Sequence, residues 1–197
     1  PRGAILSTDI GNNCAIGNAY VSFEEGRKYL SPGLFGPCGY GFPSIIGAKI
    51  GCPTTPVVGF AGDGAFGISM SEMSSIGRKE WPGITMVIFR NYQWGAEKRN
   101  TTLWYDNNFV GTELDPNLSY AKVAEGCGLK GVTVRTQAEL TSALQAACKA
   151  QDKGVTTFIE VILNQELGEP FRRDAMKKPV VVAGIRREDM RPQQLAN

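Results

Sequence analysis

Short apolar segments of strand length alternate with helix-length segments along most of this 197-residue chain. Apolar runs of this length, bounded by turn residues, are typical of strands buried on both faces of a sheet. The segment from Gln137 to Ala150 is typical of the helices, since its apolar residues follow i, i+3, i+4, i+7 spacing. The predicted strands are Ala4–Thr8, Val57–Ala61, Ile84–Phe89, Val132–Val134 and Thr157–Ile162, and the other predicted helices are Phe42–Ile50, Gly67–Gly77 and Ser119–Cys127. The alternation predicts a doubly wound α/β fold, with a mostly parallel sheet and helices on both faces.

The alternation stops near Asn164, which divides the chain into two parts. Up to that point, the length and the composition, with 42% hydrophobic and 20% charged residues overall, are typical of one globular domain. Residues 165–197 contain three prolines and show little periodicity. We therefore predict a ligand-binding domain over residues 1–164 and a C-terminal arm or tail over residues 165–197.

Charge and composition exclude several classes of function. A formal charge of +2 without long like-charge blocks indicates neither nucleic acid nor a membrane as partner. The sequence has no run of about 18 apolar residues, so we expect a soluble, cytoplasmic protein. The chain has no histidine, which removes His-based acid–base and nucleophile pairs, and its five scattered cysteines form no CxxC pair. Any chemistry must come from carboxylates, a metal, a cofactor or another chain.

Two predicted strands end in loops that suit a diphosphate and a divalent cation. One is followed by Gly62-Asp63-Gly64, and the next is followed by Arg90-Asn91, which places Asn91 28 residues after Asp63. Glycines allow backbone N–H groups to approach an anion, and Asp63 offers a hard oxygen ligand. Gly-Asp-Gly is also ordinary turn chemistry. The ends of two neighbouring strands can nevertheless converge on one ion, so the pair predicts a metal–diphosphate site.

The same residues resemble the cofactor motif of thiamine diphosphate (ThDP) enzymes. The resemblance implies that Asp63, Asn91 and the backbone carbonyl of Gln93 bind Mg²⁺. The family motif usually ends in two adjacent asparagines, and here Arg90 replaces the first, which leaves the metal role of Asn91 intact. The other residues of these two loops that the resemblance assigns to ThDP are Gly62, Gly64, Ala65, Trp94 and Gly95.

Two further loops are similar to ThDP-binding loops. Residues 36–43 resemble the loop that contacts the aminopyrimidine, where Gly36 would offer its carbonyl and Cys38 its N–H. Cys38 would either support the bent cofactor or simply pack. Residues 8–13 resemble the first diphosphate loop; in the alternative interpretation, Asp9 and Asn12 only cap the following helix. The residues assigned to ThDP from these loops are Gly11, Asn12, Asn13, Gly36, Cys38, Gly39 and Tyr40.

Residues 93–100 and 166–175 carry a closer resemblance, to the sulfoacetaldehyde acetyltransferases. These ThDP enzymes are similar in fold to acetolactate synthase. The resemblance implies that ThDP attacks sulfoacetaldehyde, sulfite leaves, and the acetyl group passes to phosphate to give acetyl phosphate. Both substrates are small anions, and the candidate contacts are Lys98, Arg172 and Arg173. A solvated charged face is the alternative for these side chains.

In this family, the glutamate that activates ThDP belongs to a separate pyrimidine-binding domain, usually of the opposing subunit. No motif places that glutamate in this chain. The resemblance therefore implies a homodimer or homotetramer in which this chain is the C-terminal third. Three alternatives remain: an acetolactate synthase-like or 2-oxoacid decarboxylase domain, a non-catalytic module that binds Mg²⁺–diphosphate, and a Rossmann-type nucleotide site. The last is disfavoured because no GxGxxG follows the first strand.

Overall fold

Parallel strands form one six-stranded sheet in the computed structural model of the chain, which describes residues 1–165 apart from Glu24 and Lys79. The order across the sheet is β2-β1-β3-β4-β6-β5, and every pair of neighbours is parallel. The strands are β1 Ile5–Thr8, β2 Tyr29–Leu30, β3 Val57–Gly62, β4 Thr85–Arg90, β5 Lys130–Val134 and β6 Thr157–Ile162. The strand order reverses between β1 and β3, which is the position at which open α/β sheets bind ligands.

Helices connect these strands and cover both faces of the sheet. They are α1 Asn12–Tyr20, α2 Gly41–Gly51, α3 Asp63–Ser69, α4 Glu72–Ile76, α5 Gly95–Trp104, α6 Tyr120–Gly126 and α7 Gln137–Gln151. The start of α7 is set by a capping box between Thr136 and Glu139, in which each side chain accepts a hydrogen bond from the other's backbone N–H. Within the described residues, none of the helices combines the length and apolar character needed to cross a bilayer.

The predicted fold class is confirmed, while some element boundaries differ. The predicted helix over residues 67–77 is two helices, and the first begins at Asp63. They are separated because Met73 and Ser74 donate to carbonyls three residues back, which tightens the chain out of α-helical geometry. The prediction missed β2, which at two residues is too short to show alternation, and it gave no bounds for α1 or α5. These two helices are rich in polar residues and have little apolar periodicity.

Each face of the sheet has its own apolar core. On one face, α2, α3 and α6 bury a cluster that includes the aromatic rings of Phe42, Phe66, Phe158 and Tyr120. The ring of Phe66 contacts Tyr120 edge-on, with the centroids 5.1 Å apart. On the other face, Leu140, Leu144 and Ala147 of α7 pack against valines and isoleucines of β4, β5 and β6. The two cores hold the sheet rigid beneath the loops at its carboxyl edge.

We expect Phe158→Ala to destabilise the chain by about 3 to 5 kcal/mol, because Phe158 is fully buried between Phe42 and Phe66 and its loss leaves a cavity. Urea unfolding of the 197-residue chain would measure this change in the free energy of unfolding. Val110→Ala is the control, since Val110 is 80% exposed, and it should change stability by less than about 0.5 kcal/mol. Equal stabilities for the two variants would contradict the assignment of the core.

Candidate functional site

The carboxyl ends of β1, β3 and β4 open into one cavity of about 1000 Å³. All of the residues assigned to ThDP from the sequence line this cavity, except Gly39 and Tyr40. Those that line it are Gly11, Asn12, Asn13, Gly36, Cys38, Gly62, Asp63, Gly64, Ala65, Asn91, Gln93, Trp94 and Gly95. The sheet topology thus brings together four loops that are up to 84 residues apart in sequence, from Gly11 to Gly95.

Gly39 and Tyr40 lie in the same loop as Gly36 and Cys38 but do not line the cavity. The loop turns back on itself at Gly36 and Gly39, whose φ angles are +62° and +85°. A side chain at position 39 would meet Ile68 of α3, so this glycine packs against α3. Tyr40 is the residue immediately before α2. These two residues shape the loop, and Gly36 and Cys38 face the cavity.

Three oxygen atoms from the tips of β3 and β4 face one another at the base of the cavity. The side-chain oxygen of Asn91 lies 3.0 Å from the carbonyl oxygen of Gln93 and 3.2 Å from Oδ1 of Asp63. Octahedral Mg²⁺ with ligands at about 2.0–2.1 Å places adjacent ligand oxygens about 3.0 Å apart. The three oxygens and their spacing therefore fit a magnesium ion. Without an ion, rotating the amide of Asn91 by half a turn would let its NH₂ group donate to both of the other oxygens.

This donor set is mixed, with one carboxylate, one side-chain amide and one backbone carbonyl. Within the part of the chain that the structure describes, no group of three or more His, Cys, Asp or Glu side chains is arranged to hold a metal. A Mg²⁺ ion bound here would keep further coordination positions for phosphate oxygens and water, as Mg²⁺ does beside nucleotides.

The carboxylate of Asp63 is 1% exposed and is oriented by backbone N–H groups. Its Oδ2 accepts a hydrogen bond from Tyr92 N at 2.7 Å, and its Oδ1 accepts one from Gly64 N at 3.0 Å. Burial raises the pKa of Asp63, and the N–H of Tyr92 and the guanidinium of Arg90 oppose that rise. A cation bound at the three oxygens would favour the ionised form of Asp63 and would therefore oppose the effect of burial on its pKa.

Arg90, which stands where the family motif usually has asparagine, is almost completely buried. Its Nε lies 3.2 Å from Oε1 of Glu160, and its Nη1 lies 3.8 Å from Oδ2 of Asp63. Its guanidinium also stacks over the rings of Tyr92 and Tyr120, at 4.5 and 5.1 Å from their centroids. A buried charge needs such compensation, and Glu160 supplies it. The departure from the motif therefore adds a positive charge behind Asp63 without displacing Asn91.

A short antiparallel pairing holds the loop of residues 91–94, which follows β4, from its outer side. Residues 92–94 pair with residues 112–114, which we call the strap, through an isolated bridge between Gln93 and Glu113. The backbone bonds run from Trp94 N to Thr112 O at 2.8 Å and from Leu114 N to Tyr92 O at 2.9 Å. In antiparallel pairs, alternate residues bond to the partner strand. The carbonyl of Gln93 is therefore directed away from the strap, and it faces Asn91.

Lys98, a predicted substrate contact, does not line the cavity. Its ammonium donates to Oε1 of Gln93 at 3.0 Å, forms an ion pair with Glu113, and lies 5.1 Å from the ring centroid of Phe109. The ammonium of Lys98 thus has one partner on the loop of residues 91–94 and another on the strap. The other two predicted contacts, Arg172 and Arg173, lie outside the described residues.

Several cavity residues were not predicted from the sequence. Helix α1 contributes Ile16, Gly17 and Tyr20 as well as Asn12 and Asn13. Helix α5 contributes Ala96, Glu97 and Arg99. The signal that could have identified the α1 residues is helical spacing, because residues 12, 16 and 20 follow i, i+4, i+8 and share a face.

We expect Arg90→Met and Glu160→Gln each to destabilise the chain by about 3 to 5 kcal/mol, because each leaves its buried partner uncompensated. The free energy of unfolding of the double variant should fall by much less than the sum of the two single losses. Urea unfolding of all four proteins in a double-mutant cycle would measure this. The matched control is the surface pair of Arg78 and Glu80, whose side chains are 66% and 71% exposed and whose cycle should give a coupling below about 1 kcal/mol. Additive losses at Arg90 and Glu160 would contradict a coupled buried pair.

Comparison with known proteins shows the family to which this chain belongs. The family model for the thiamine pyrophosphate enzyme, C-terminal TPP binding domain, matches residues 9–161. The chain is 82% identical over 194 residues to a probable sulfoacetaldehyde acetyltransferase of Rhizobium meliloti (strain 1021), covering 98% of this chain and 33% of that protein. It is 72% identical over 195 residues to the sulfoacetaldehyde acetyltransferase of Roseovarius nubinhibens, covering 99% of this chain and 32% of that protein.

Among solved structures, the chain is similar to the thiamine diphosphate-dependent 4-hydroxybenzoylformate decarboxylase of Rhodococcus jostii RHA1. The TM-score is 0.74 at 25% sequence identity, and the match covers 85% of this chain and 31% of that one. The chain therefore spans about a third of the length of the relatives that it matches. The resemblance read from the cofactor loops is confirmed by these comparisons.

Proposed function

This chain belongs to the thiamine pyrophosphate enzymes, as their C-terminal TPP-binding domain, and on that basis we propose that it anchors ThDP through Mg²⁺ in a sulfoacetaldehyde acetyltransferase. The observation that carries the proposal is the convergence of Asp63, Asn91 and the carbonyl of Gln93. In the proposed site, these three oxygens bind Mg²⁺ and the ion binds the diphosphate. The proposal extends to the reaction because the two relatives described above are 82% and 72% identical to this chain.

The diphosphate is proposed to lie between the start of α1 and the loop that follows β3. Asn12 or Asn13 would donate a side-chain N–H to a phosphate oxygen, and the first turns of helices favour such anions. The space for the diphosphate depends on two glycines, which have no side chain to fill it. A Cβ atom at Gly62 would lie 3.0 Å from Nδ2 of Asn13, and one at Gly64 would lie 2.8 Å from the ring of Trp94. Larger residues at these two positions would displace groups that line the cavity.

The aminopyrimidine is proposed to contact the loop of residues 36–40, with the carbonyl of Gly36 and the N–H of Cys38 as its backbone partners. Burial raises the pKa of the Cys38 thiol, and the neighbouring carboxylates of Glu97 and Asp9 raise it further. The thiol is therefore neutral at physiological pH. Cys38 would accordingly contact the cofactor as a small apolar group, in keeping with a supporting role and without thiolate chemistry.

ThDP, when bound, supplies the carbon nucleophile that attacks the aldehyde. The overall reaction proposed is sulfoacetaldehyde plus phosphate giving acetyl phosphate plus sulfite. In it, the residues of this chain bind and orient: the cavity walls exclude water, the metal ligands hold the diphosphate end, and the loop of residues 36–40 holds the pyrimidine end. Arg172, Arg173 and Lys98 remain proposed contacts for the anionic substrates.

The activating glutamate is proposed to come from a pyrimidine-binding domain, within a homodimer or homotetramer. Apolar side chains are exposed beside the cavity, where such a domain would cover them: Leu34 and Phe35 are almost fully exposed and directly precede Gly36, and Tyr20 of α1 is 77% exposed. Exposed apolar patches of this kind mark interaction surfaces.

The five cysteines form no disulfide, which suits the cytoplasm as the proposed location.

We expect Asp63→Asn to weaken Mg²⁺-dependent ThDP binding by at least about 100-fold, because it replaces the one carboxylate of the proposed donor set with a neutral amide. Changing a residue that only supports a metal ligand already costs about 10- to 100-fold, and the loss of a charged ligand should cost more. Isothermal titration calorimetry on the full-length protein, with and without Mg²⁺, would measure this. Asp152→Asn, a change at an exposed carboxylate beyond α7, is the matched control and should leave the affinity unchanged. Unchanged affinity in Asp63→Asn would refute the metal site.

The reaction is tested separately. We expect the full-length protein with ThDP, Mg²⁺ and phosphate to release sulfite from sulfoacetaldehyde and to form acetyl phosphate. The second candidate, 2-oxoacid decarboxylation, is favoured by the similarity to the 4-hydroxybenzoylformate decarboxylase and predicts release of carbon dioxide from a 2-oxoacid such as pyruvate. Binding of ThDP without turnover of either substrate would support a non-catalytic module.

A further inference from the structure

The carboxylate of Asp9 is fully buried at the end of β1 and accepts three backbone hydrogen bonds. Its Oδ1 accepts from Ile10 N at 2.9 Å and from Gly39 N at 3.0 Å, and its Oδ2 accepts from Gly41 N at 2.7 Å. Two of these donors are 30 and 32 residues away in sequence: Gly39 lies in the loop of residues 36–40, and Gly41 is the first residue of α2, to which that loop leads. The interpretation of Asp9 as a helix cap is wrong, because α1 begins at Asn12 after Gly11 and no side chain caps it.

The backbone at Gly41 lies so close to Asp9 that no side chain would fit between them. A Cβ atom at Gly41 would lie 2.9 Å from the backbone nitrogen of Asp9 and 3.0 Å from its Cβ. Asp9 is itself attached to the sheet, since its N–H donates to the carbonyl of Phe60 in β3 at 3.1 Å. Hydrogen bonds to a carboxylate are stronger than those between neutral groups. The loop is therefore held to the rigid tip of β1 by charge-assisted bonds.

We propose that Asp9 is a positioning residue, which fixes the loop of residues 36–40 relative to the loop of residues 11–13. Asp9 stands two residues before Gly11, and its side chain holds the residues on either side of Tyr40. One strand end thus sets the distance between the groups for the pyrimidine end of ThDP and those for its diphosphate end. This inference rests on the proposed function, because it takes ThDP as the ligand of both loops.

A change at Asp9 should affect the affinities of two ligands differently, although both ligands contain a diphosphate. Inorganic pyrophosphate with Mg²⁺ uses only the diphosphate loops and the metal ligands, whereas ThDP also needs the loop of residues 36–40. In Asp9→Asn, the amide NH₂ would face a backbone N–H donor, so the loop would lose at least one bond to the strand. We expect this variant of the full-length protein to bind ThDP at least about tenfold more weakly. Its affinity for Mg²⁺–pyrophosphate should stay within about twofold of wild type.

Calorimetry with both ligands measures these affinities, and hydrogen exchange should show faster exchange at the N–H groups of Gly39 and Gly41 in the ligand-free variant. The matched control is Ser44→Ala. Its hydroxyl bonds to Ser7 Oγ and to the carbonyl of Gly41, so it removes a bond at the same place without touching the loop's N–H groups. The ratio of the two affinities should not change in this control.

Unchanged ThDP affinity in Asp9→Asn, or an equal loss of both ligands, would overturn the positioning role. If Asp9→Asn does not fold, Asp9→Glu keeps the charge and displaces the loop by one methylene, and it must lower the same affinity ratio. Failure of the wild-type protein to bind Mg²⁺–pyrophosphate, or unchanged binding of both ligands in Asp63→Asn, would count against the proposed metal–diphosphate site itself.

Discussion

The site depends on the parallel register between β3 and β4. Gly62 pairs with Phe89, so Asp63 and Asn91 each emerge within two residues of the same level of the sheet. Parallel neighbours end at the same edge, which brings a carboxylate and an amide close together although they are 28 positions apart in sequence. A slip of one residue would reverse the facing of every side chain in β4. The apolar cores on both faces of the sheet resist such a slip, so packing far from the cavity maintains the spacing of Asp63, Asn91 and the carbonyl of Gln93.

Three buried charges of alternating sign, those of Glu160, Arg90 and Asp63, lie next to one another behind the cavity. Glu160 accepts hydrogen bonds from Ser119 Oγ and Tyr120 N and neutralises Arg90, which in turn approaches Asp63. The hydroxyl of Tyr120 donates to the carbonyl of Asp63 at 2.9 Å, and burial raises the pKa of this hydroxyl to about 12, so it remains a donor. Asp63 can thus stay at the base of the cavity without bulk water around it.

The sequence predicts those parts of the structure that a single local pattern of residues determines. Strands β3 and β4 are nearly continuous apolar runs, and the spacing of Asp63 and Asn91 predicted that these two residues meet at one edge of the sheet. The strap, the burial of Arg90 and the contacts of Asp9 depend on residues far apart in sequence, so no local pattern contains them. The carbonyl of Gln93 was identified only through resemblance. Its orientation has a physical cause, the pairing with residues 112–114, which appears only in three dimensions.

Asp9 and Asp63 show why two equally buried carboxylates at the same sheet edge serve different purposes. Asp9 has both oxygens occupied by three N–H groups, which come from Ile10, from Gly39 and from Gly41 at the start of α2. Asp63 receives two N–H groups, and its Oδ1 also faces the oxygen of Asn91, a contact that only a cation or a rotated amide can make favourable. Hydrogen-bond saturation turns the first carboxylate into a structural anchor. Incomplete saturation by N–H donors leaves the second able to take a metal ion.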